Sequence, residues 1–402
     1  MLFGQSLRVV RSIVPLCLSL FLIVSCGGGG GGGDGETSST TTGYAGDGQL
    51  DQVVEAVRQK YDLPAVAAIM IRNGQIIERS AMGKRSVDAI TSVTENDQWH
   101  IGSITKSMTS LLAALLVRDG LIQWTSTLAD IFPELMGTML IDYHDVRLDE
   151  LLSHTSGLQR DIPNYGSYFT DARPLRVQRL EVVNYALVLP PAGVRGNFEY
   201  SNLGYIIAGA MLERVTGSDW ETLLSTYLLD PLAMSETGFG SPDPQGILAQ
   251  PIGHWLDNDS WQPAAPSVVI YNLPAVYGPA GDVHVSLDDM AAYLGLQLRG
   301  LEGETVAGFL TAQEFAKLHT PIANVPDYNG YALGWYISDF FIQHSGSNLY
   351  WYALANINKY RNAAFFIVTN SYDDVCSPDC RSTGAIYELR NELYKRFDAA
   401  FL

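Results

Sequence analysis

Three observations in the sequence predict an α/β fold of the α+β type, with a mainly antiparallel sheet flanked by helices and an inserted all-helical domain. Strand-like apolar runs lie near both ends of the chain: Ala65 to Ile71 and Gln75 to Arg79 early, then Tyr331 to Ile337, Tyr350 to Ile357 and Ala363 to Thr369 late. Between them, from about Leu121 to Pro266, helix and loop signals dominate. The late strands are joined by short connections, and a parallel crossover needs a dozen or more residues, so the pairing is antiparallel.

Composition narrows the class. A hydrophobic share of 47% in 402 residues supports a sizeable core and excludes a disordered chain. The net charge of −18, from 25 basic and 43 acidic residues, argues against nucleic acid as a partner and gives no pull towards anionic lipid.

The N-terminus reads as an export segment. Arg8 and Arg11 precede a mostly apolar run from Ser12 to Ser25. That run is shorter than the ~20 residues a spanning helix needs and suits a secretory signal, so residues 1–25 are expected to be removed. Ile23-Val24-Ser25-Cys26 resembles the bacterial lipobox, although Leu is commoner where Ile23 stands. The resemblance implies that Cys26 carries lipid. Gly27 in place of Asp implies, by likeness to lipoprotein sorting rules, a site on the outer membrane of a bacterial envelope. The seven glycines Gly27 to Gly33 and the Ser/Thr-rich stretch after them cannot bury apolar surface. Residues 26–48 are therefore a flexible tether, and residues 49–402 the folded domain, with its helical insertion over about 121–266. Cys376 and Cys380 are expected to form a small local disulfide in an oxidising compartment.

Within the domain, Leu50, Val53, Val54 and Val57 recur at helical spacing. Asn73-Gly74 between two apolar runs predicts a hairpin. Trp99 to Gly120 reads as an extended lead-in, a turn at Gly102 and an apolar helix from about Ser103 to Val117. Leu148 to Leu152, Tyr205 to Val215 and Trp220 to Leu229 read as helical. Ser286-Leu287-Asp288-Asp289 resembles a capping box that opens a helix to Leu298. A last helix, Gly384 to Phe397, closes the chain.

Chemistry is concentrated in three short segments. Ser103 and Lys106, three apart on one helix face, can act as nucleophile and base. Alone, the pair has a bland explanation as a helix cap and a solvated lysine. Tyr200-Ser201-Asn202 and His344-Ser345-Gly346-Ser347 follow in order. This set resembles the serine β-lactamase and penicillin-binding superfamily, whose signature is S-x-x-K, then S-D-N or its Tyr equivalent, then K-T-G. The Tyr-Ser-Asn form, with LLSHTSGL at Leu151 to Leu158 and LDPLAMSETGFG at Leu229 to Gly240, is similar to the class C β-lactamase branch, which also holds D-alanyl-D-alanine carboxypeptidases and esterases.

The resemblance implies a β-lactamase/transpeptidase-like fold and roles for individual residues. Ser103 would be the acylated nucleophile, Lys106 its base, and Tyr200 a second base or proton shuttle whose phenolate a protonated Lys106 would favour. Asn202, His344, Ser345, Gly346 and Ser347 would bind substrate, with the N–H groups of Ser103 and Ser347 as the oxyanion hole. A neutral lysine near pH 7 requires its pKa to fall from about 10.4, at a cost of ~4 kcal/mol, most of it supplied by burial. His344 departs from the family's lysine and weakens the case for a fixed cation that binds a penicillin-type carboxylate. The aromatics Tyr350-Trp351-Tyr352 either narrow the cleft or are buried strand residues.

The expected function is an exported serine hydrolase acting through an acyl-enzyme on small-molecule esters or D-amino-acid peptides, with no cofactor; hydrolysis of β-lactam amides is the alternative. A non-catalytic cell-wall-binding lipoprotein is the rival from another class. His154 is expected to belong to a structural loop. His100, His144, His254, His284 and His319 occur singly, which disfavours a metal hydrolase. Oligomeric state has no signature in the sequence.

Overall fold

A computed structural model describes residues 45–163, 165–264, 273–373 and 380–402. The expected signal peptide, Cys26, most of the tether and Cys376 lie outside these residues; Cys380 is disulfide-bonded.

The chain opens with helix α1 (Leu50–Lys60), whose four periodic apolar residues are all buried. Strands β1 (Ala65–Arg72) and β2 (Gln75–Gly83) follow. They are joined by Asn73 and Gly74 at φ 51° and 73°, the left-handed pair that a two-residue hairpin requires. The late strands are β3 (Gly330–Tyr331), β4 (Tyr336–Ile337), β5 (Ile342–Ser347), β6 (Tyr352–Asn358) and β7 (Ala363–Thr369). Together they form one seven-stranded sheet in the order β2-β1-β7-β6-β5-β4-β3, antiparallel at every pairing. Strands from opposite ends of the chain thus meet inside it, with Val66 opposite Thr369.

β1 and β7 are continuous apolar runs because both of their faces are covered. Ala65, Ala67, Ile69, Phe366 and Val368 point into the larger core, beside helices α2 (Thr105–Arg118) and α7 (Leu287–Leu301). Val66, Ala68, Met70, Phe365 and Ile367 point into a second core under α1 and the C-terminal helix α9 (Arg381–Phe401).

The inserted segment contributes α3 (Leu148–Leu152), α4 (Leu175–Ala186), α5 (Asn202–Thr216) and α6 (Trp220–Leu224), and α6 runs on as a wider π turn to Leu229. The end of the expected insertion is strand, not helix: His254–Asp257 pairs with Ser260–Pro263.

Two further expectations change. Tyr331 to Ile337 is a tight hairpin of two short strands, because Gly334 at φ 83° turns the chain where a Cβ would stand 2.6 Å from the Ser107 Cα. The His344 segment lies on a strand instead of before one. Its polar residues alternate between two buried faces, so no apolar period betrays it. Ser286 does cap α7, accepting the Asp289 N–H at 3.1 Å, but Asp289 turns away to accept from Glu236 N–H and Thr237 Oγ1. Helix α8 (Ala312–His319) packs beside α7.

Candidate active site

The centre of the site is a turn pressed between strands. Trp99–His100 pairs with Val283–Val285, and Ile101 donates to the Val283 carbonyl at 3.0 Å. The chain then turns at Gly102, φ 49°, through a single 3₁₀ turn holding Ser103, and enters α2. On the other side lies β5. A Cβ on Gly102 would stand 2.4 Å from the Ser347 nitrogen, and one on Gly346 would stand 2.6 Å from the Ser103 nitrogen. Two glycines therefore let the backbones of the nucleophile turn and β5 approach closely, which brings the expected oxyanion donors into one neighbourhood.

Lys106 is wholly buried and its Nζ has three neighbours. Asn202 Oδ1 lies at 2.7 Å, the Ala280 carbonyl at 2.6 Å and Ser103 Oγ at 3.0 Å. The first two can only accept. A neutral amine has two N–H donors and one lone pair, so giving both donors to these oxygens aims the lone pair at the Ser103 hydroxyl. Burial, the largest influence, holds the Lys106 pKa well below that of a free amine; Asp161 opposes this and Arg160 adds to it. Desolvation therefore favours a neutral lysine, and the hydrogen-bond geometry accommodates one.

Asn202 is the first residue of α5. Its backbone N–H donates to the Arg160 carbonyl at 2.7 Å, and its Nδ2 donates to Asp161 Oδ1 at 2.6 Å. Asp161 thereby fixes which end of the amide faces Lys106. Tyr200 hydrogen-bonds Ser103, and its ring centroid lies 4.9 Å from Lys106 Nζ. Burial raises the Tyr200 pKa, the Ser103 hydrogen bond only partly offsetting it, so the resting group is a phenol. Of the two roles expected from sequence, a proton shuttle fits this state better than a phenolate base.

The third motif departs most from expectation. His344 is 2% exposed, and both of its ring nitrogens are engaged. Nδ1–H donates to the Ser345 carbonyl at 2.6 Å and Nε2 accepts from Tyr331 OH at 3.1 Å. Burial pushes its pKa down to about 3, so it is a buried neutral ring and no cation. Ser345, one residue on, faces the opposite side of the sheet and hydrogen-bonds Tyr352. Strand alternation makes this unavoidable: if His344 and Gly346 face Ser103, Ser345 cannot. The expected direct substrate contacts of His344 and Ser345 are thus corrected, while Gly346 and Ser347 stay at the nucleophile. Trp351 and Tyr352 are both buried, Tyr352 as the first residue of β6 and Trp351 just before it, edge-on to Trp99 at 6.0 Å.

Several participants have no clear sequence signal. The Ala280 carbonyl is backbone and leaves no trace in side-chain identity, and Asp161 looks like any loop acid. His100 and Asp282 form a buried pair at 3.4 Å, with His100 Nδ1 accepting the Gly102 N–H at 3.1 Å. That pair braces the turn from behind.

A protein-family model described as Beta-lactamase matches residues 50–379. The chain belongs to the Beta-lactamase family. Members of this family are in general serine hydrolases acting on peptide or β-lactam substrates. Similar curated proteins include Protein flp of Staphylococcus aureus (strain NCTC 8325 / PS 47), 23% identical over 326 residues, covering 80% of this chain and 62% of that protein. The chain thus spans less than two thirds of that relative's length. Unguisins hydrolase ungD of Aspergillus violaceofuscus (strain CBS 115571) is 27% identical over 201 residues, 48% of this chain and 34% of its own. Among solved structures, the octameric penicillin-binding protein homologue from Pyrococcus abyssi superposes with TM-score 0.66 at 22% identity, over 88% of this chain and 79% of that one. The class C beta lactamase from Rhodobacter sphaeroides gives TM-score 0.66 at 17% identity, over 86% and 99%. At these identities the structural likeness establishes the fold, and within the Beta-lactamase family the substrate is argued from the site.

Proposed function

We propose that this chain is an exported serine hydrolase that acts through an acyl-enzyme on esters or D-amino-acid peptides. The observation that carries the reading is the arrangement at Lys106, whose Nζ lies 3.0 Å from Ser103 Oγ with Asn202 Oδ1 and the Ala280 carbonyl as its other neighbours; as a neutral amine it gives its two N–H groups to those oxygens and turns its lone pair to the Ser103 hydroxyl. In this reading Lys106 takes the Ser103 proton as Oγ bonds to the substrate carbonyl carbon. The N–H groups of Ser103 and Ser347 would stabilise the oxyanion, a contribution worth about 3–4 kcal/mol for one such donor elsewhere. Collapse of the intermediate expels the alcohol or amine, which takes a proton from Tyr200 or Lys106. Water then attacks the Ser103 ester, losing a proton to Tyr200 or Lys106, and that proton passes to Oγ as the carboxylic acid departs.

A neutral, buried His344 supplies no charge to hold a β-lactam carboxylate, which supports esters and peptides over penicillins. Lipid attachment at Cys26 and a periplasmic or surface location belong to the same proposal, supported by the basic, apolar and Ile-Val-Ser-Cys succession. Treatment with a fluorophosphonate should add mass to the Ser103 peptide, and Ser103→Ala should lose both the label and ester hydrolysis. Persistent hydrolysis in that variant would sink the enzyme reading. In a side-by-side panel, short-chain esters should turn over faster than nitrocefin; the reverse order would favour a β-lactamase. Cys26→Ala should release the protein from membranes.

A further inference from the structure

His154 is the hub of an aromatic cluster directly beneath the proposed catalytic group, and it holds the chain on both sides of Tyr200. Its backbone sits at φ 62°, a left-handed conformation rare outside glycine, and its side chain is wholly buried. Its carbonyl accepts the Glu199 N–H at 2.8 Å, and its Nδ1 accepts the Ser201 N–H at 3.0 Å. Its ring lies on the Tyr200 ring, centroids 4.3 Å apart and planes 35° apart. One residue thus holds the chain at Glu199, the peptide after Tyr200 and the ring itself.

The other ring nitrogen shows what the arrangement demands. Because Nδ1 accepts, the proton of the neutral imidazole sits on Nε2. Nε2 is buried with no hydrogen-bond partner among the described residues, enclosed by Phe198, Tyr205 and Tyr331. An unpaired buried N–H and a left-handed backbone at a non-glycine residue both cost stability. Those costs fall on a residue whose favourable contacts converge on Tyr200 and its two flanking peptides.

We infer that His154 is a positioning residue that sets the Tyr200 hydroxyl against Ser103, acting through the Ser201 N–H, the Glu199 N–H and the stacked ring. The inference rests on the hydrolase reading above. It requires an acceptor at the Nδ1 position and a residue that tolerates positive φ. Asparagine meets both demands, since its Oδ1 falls near the place of Nδ1 and it adopts the left-handed region readily. Glycine meets only the second.

The test is a double-variant cycle on the full chain, with p-nitrophenyl acetate as substrate. His154→Gly should lower kcat by about 10–100-fold with KM within about 3-fold, because a displaced proton relay costs chemistry and not binding. His154→Asn should recover kcat to within about 5-fold of the parent. In a Tyr200→Phe background, His154→Gly should change kcat by less than about 2-fold, since the group it positions is gone. Losses that multiply in the double variant, or Asn no better than Gly, would overturn the inference. If His154→Gly does not fold by near-ultraviolet circular dichroism, His154→Asn against His154→Gln decides. Asn should be about 10-fold the faster, and equal rates would overturn the inference. Full turnover in Ser103→Ala, or in Tyr200→Phe, would instead break the reading beneath it, and the two failures are told apart by those single variants.

Discussion

Lys106 shows how one buried amine couples stability to chemistry. Its folded pKa lies below the unfolded value of about 10.4, so between the two the unfolded chain binds the extra proton and stability rises with pH. The penalty is fully present below the folded pKa and gone above the unfolded one. Lys106→Met removes the titration. Its melting temperature relative to the parent should therefore be highest near pH 6 and decline towards pH 10; a difference that does not vary with pH would mean an ordinary, protonated lysine. Ester turnover should likewise hold across neutral pH and fall only on the acid side as Lys106 gains its proton. A rate that climbs through about pH 10.4 would contradict the neutral amine. At this scale the sequence was most readable where a side chain bears the chemistry: Ser103, Lys106, Tyr200 and Asn202 are brought together. His344 was misread because identity carries no burial, and Ala280 was invisible because it contributes a carbonyl.

Among the elements, β5 decides whether the two halves of the site meet. Gly346 has no room for a methyl group: its Cβ would stand 2.0 Å from the Ile101 carbonyl oxygen. Gly346→Ala should push β5 away from the nucleophile turn and carry the Ser347 N–H with it. A displacement of about 1 Å costs roughly 100-fold in rate, so kcat should fall by at least that much while the protein stays folded. Retained turnover would remove Ser347 from the site. β5 also shows why strand prediction failed here. On the face away from Ser103, Gln343 and Ser345 join a buried polar layer: Asn356 Nδ2 donates to Gln343 Oε1 at 3.0 Å, and Tyr394 OH to Asn356 Oδ1 at 2.6 Å. Polar residues satisfied by a helix across the sheet give no alternation of apolar and polar. β1 and β7, sealed by apolar side chains on both faces, were plain, and so was the Asn73-Gly74 hairpin.

Across the molecule, the inserted helices and the site share one buried charge cluster. Arg179 on α4 is wholly buried, pairs with Glu213 and Glu221, and donates to the Ala275 and Val276 carbonyls. Those carbonyls begin the segment that ends at Ala280, the acceptor for Lys106. Arg179→Leu leaves two carboxylates without their partner and should cost about 3–5 kcal/mol in denaturant unfolding. A loss under about 1 kcal/mol would mean the cluster is solvated. The α+β class and the order of strands and helices were readable from periodicity, but this triad was not, because its members come from three helices.

The meeting of β1 and β7 inside the sheet also sets a timetable. Val66 finds Thr369 only after nearly the whole chain has been made, and β6 reaches β1 only through β7. Pairings this distant in sequence carry a large loop-closure cost before any contact repays it, so folding is slow and late. A chain still on the ribosome therefore lacks the strand that joins its two ends, and a polypeptide cut short of Ala363 leaves both cores without the β7 side chains that line them.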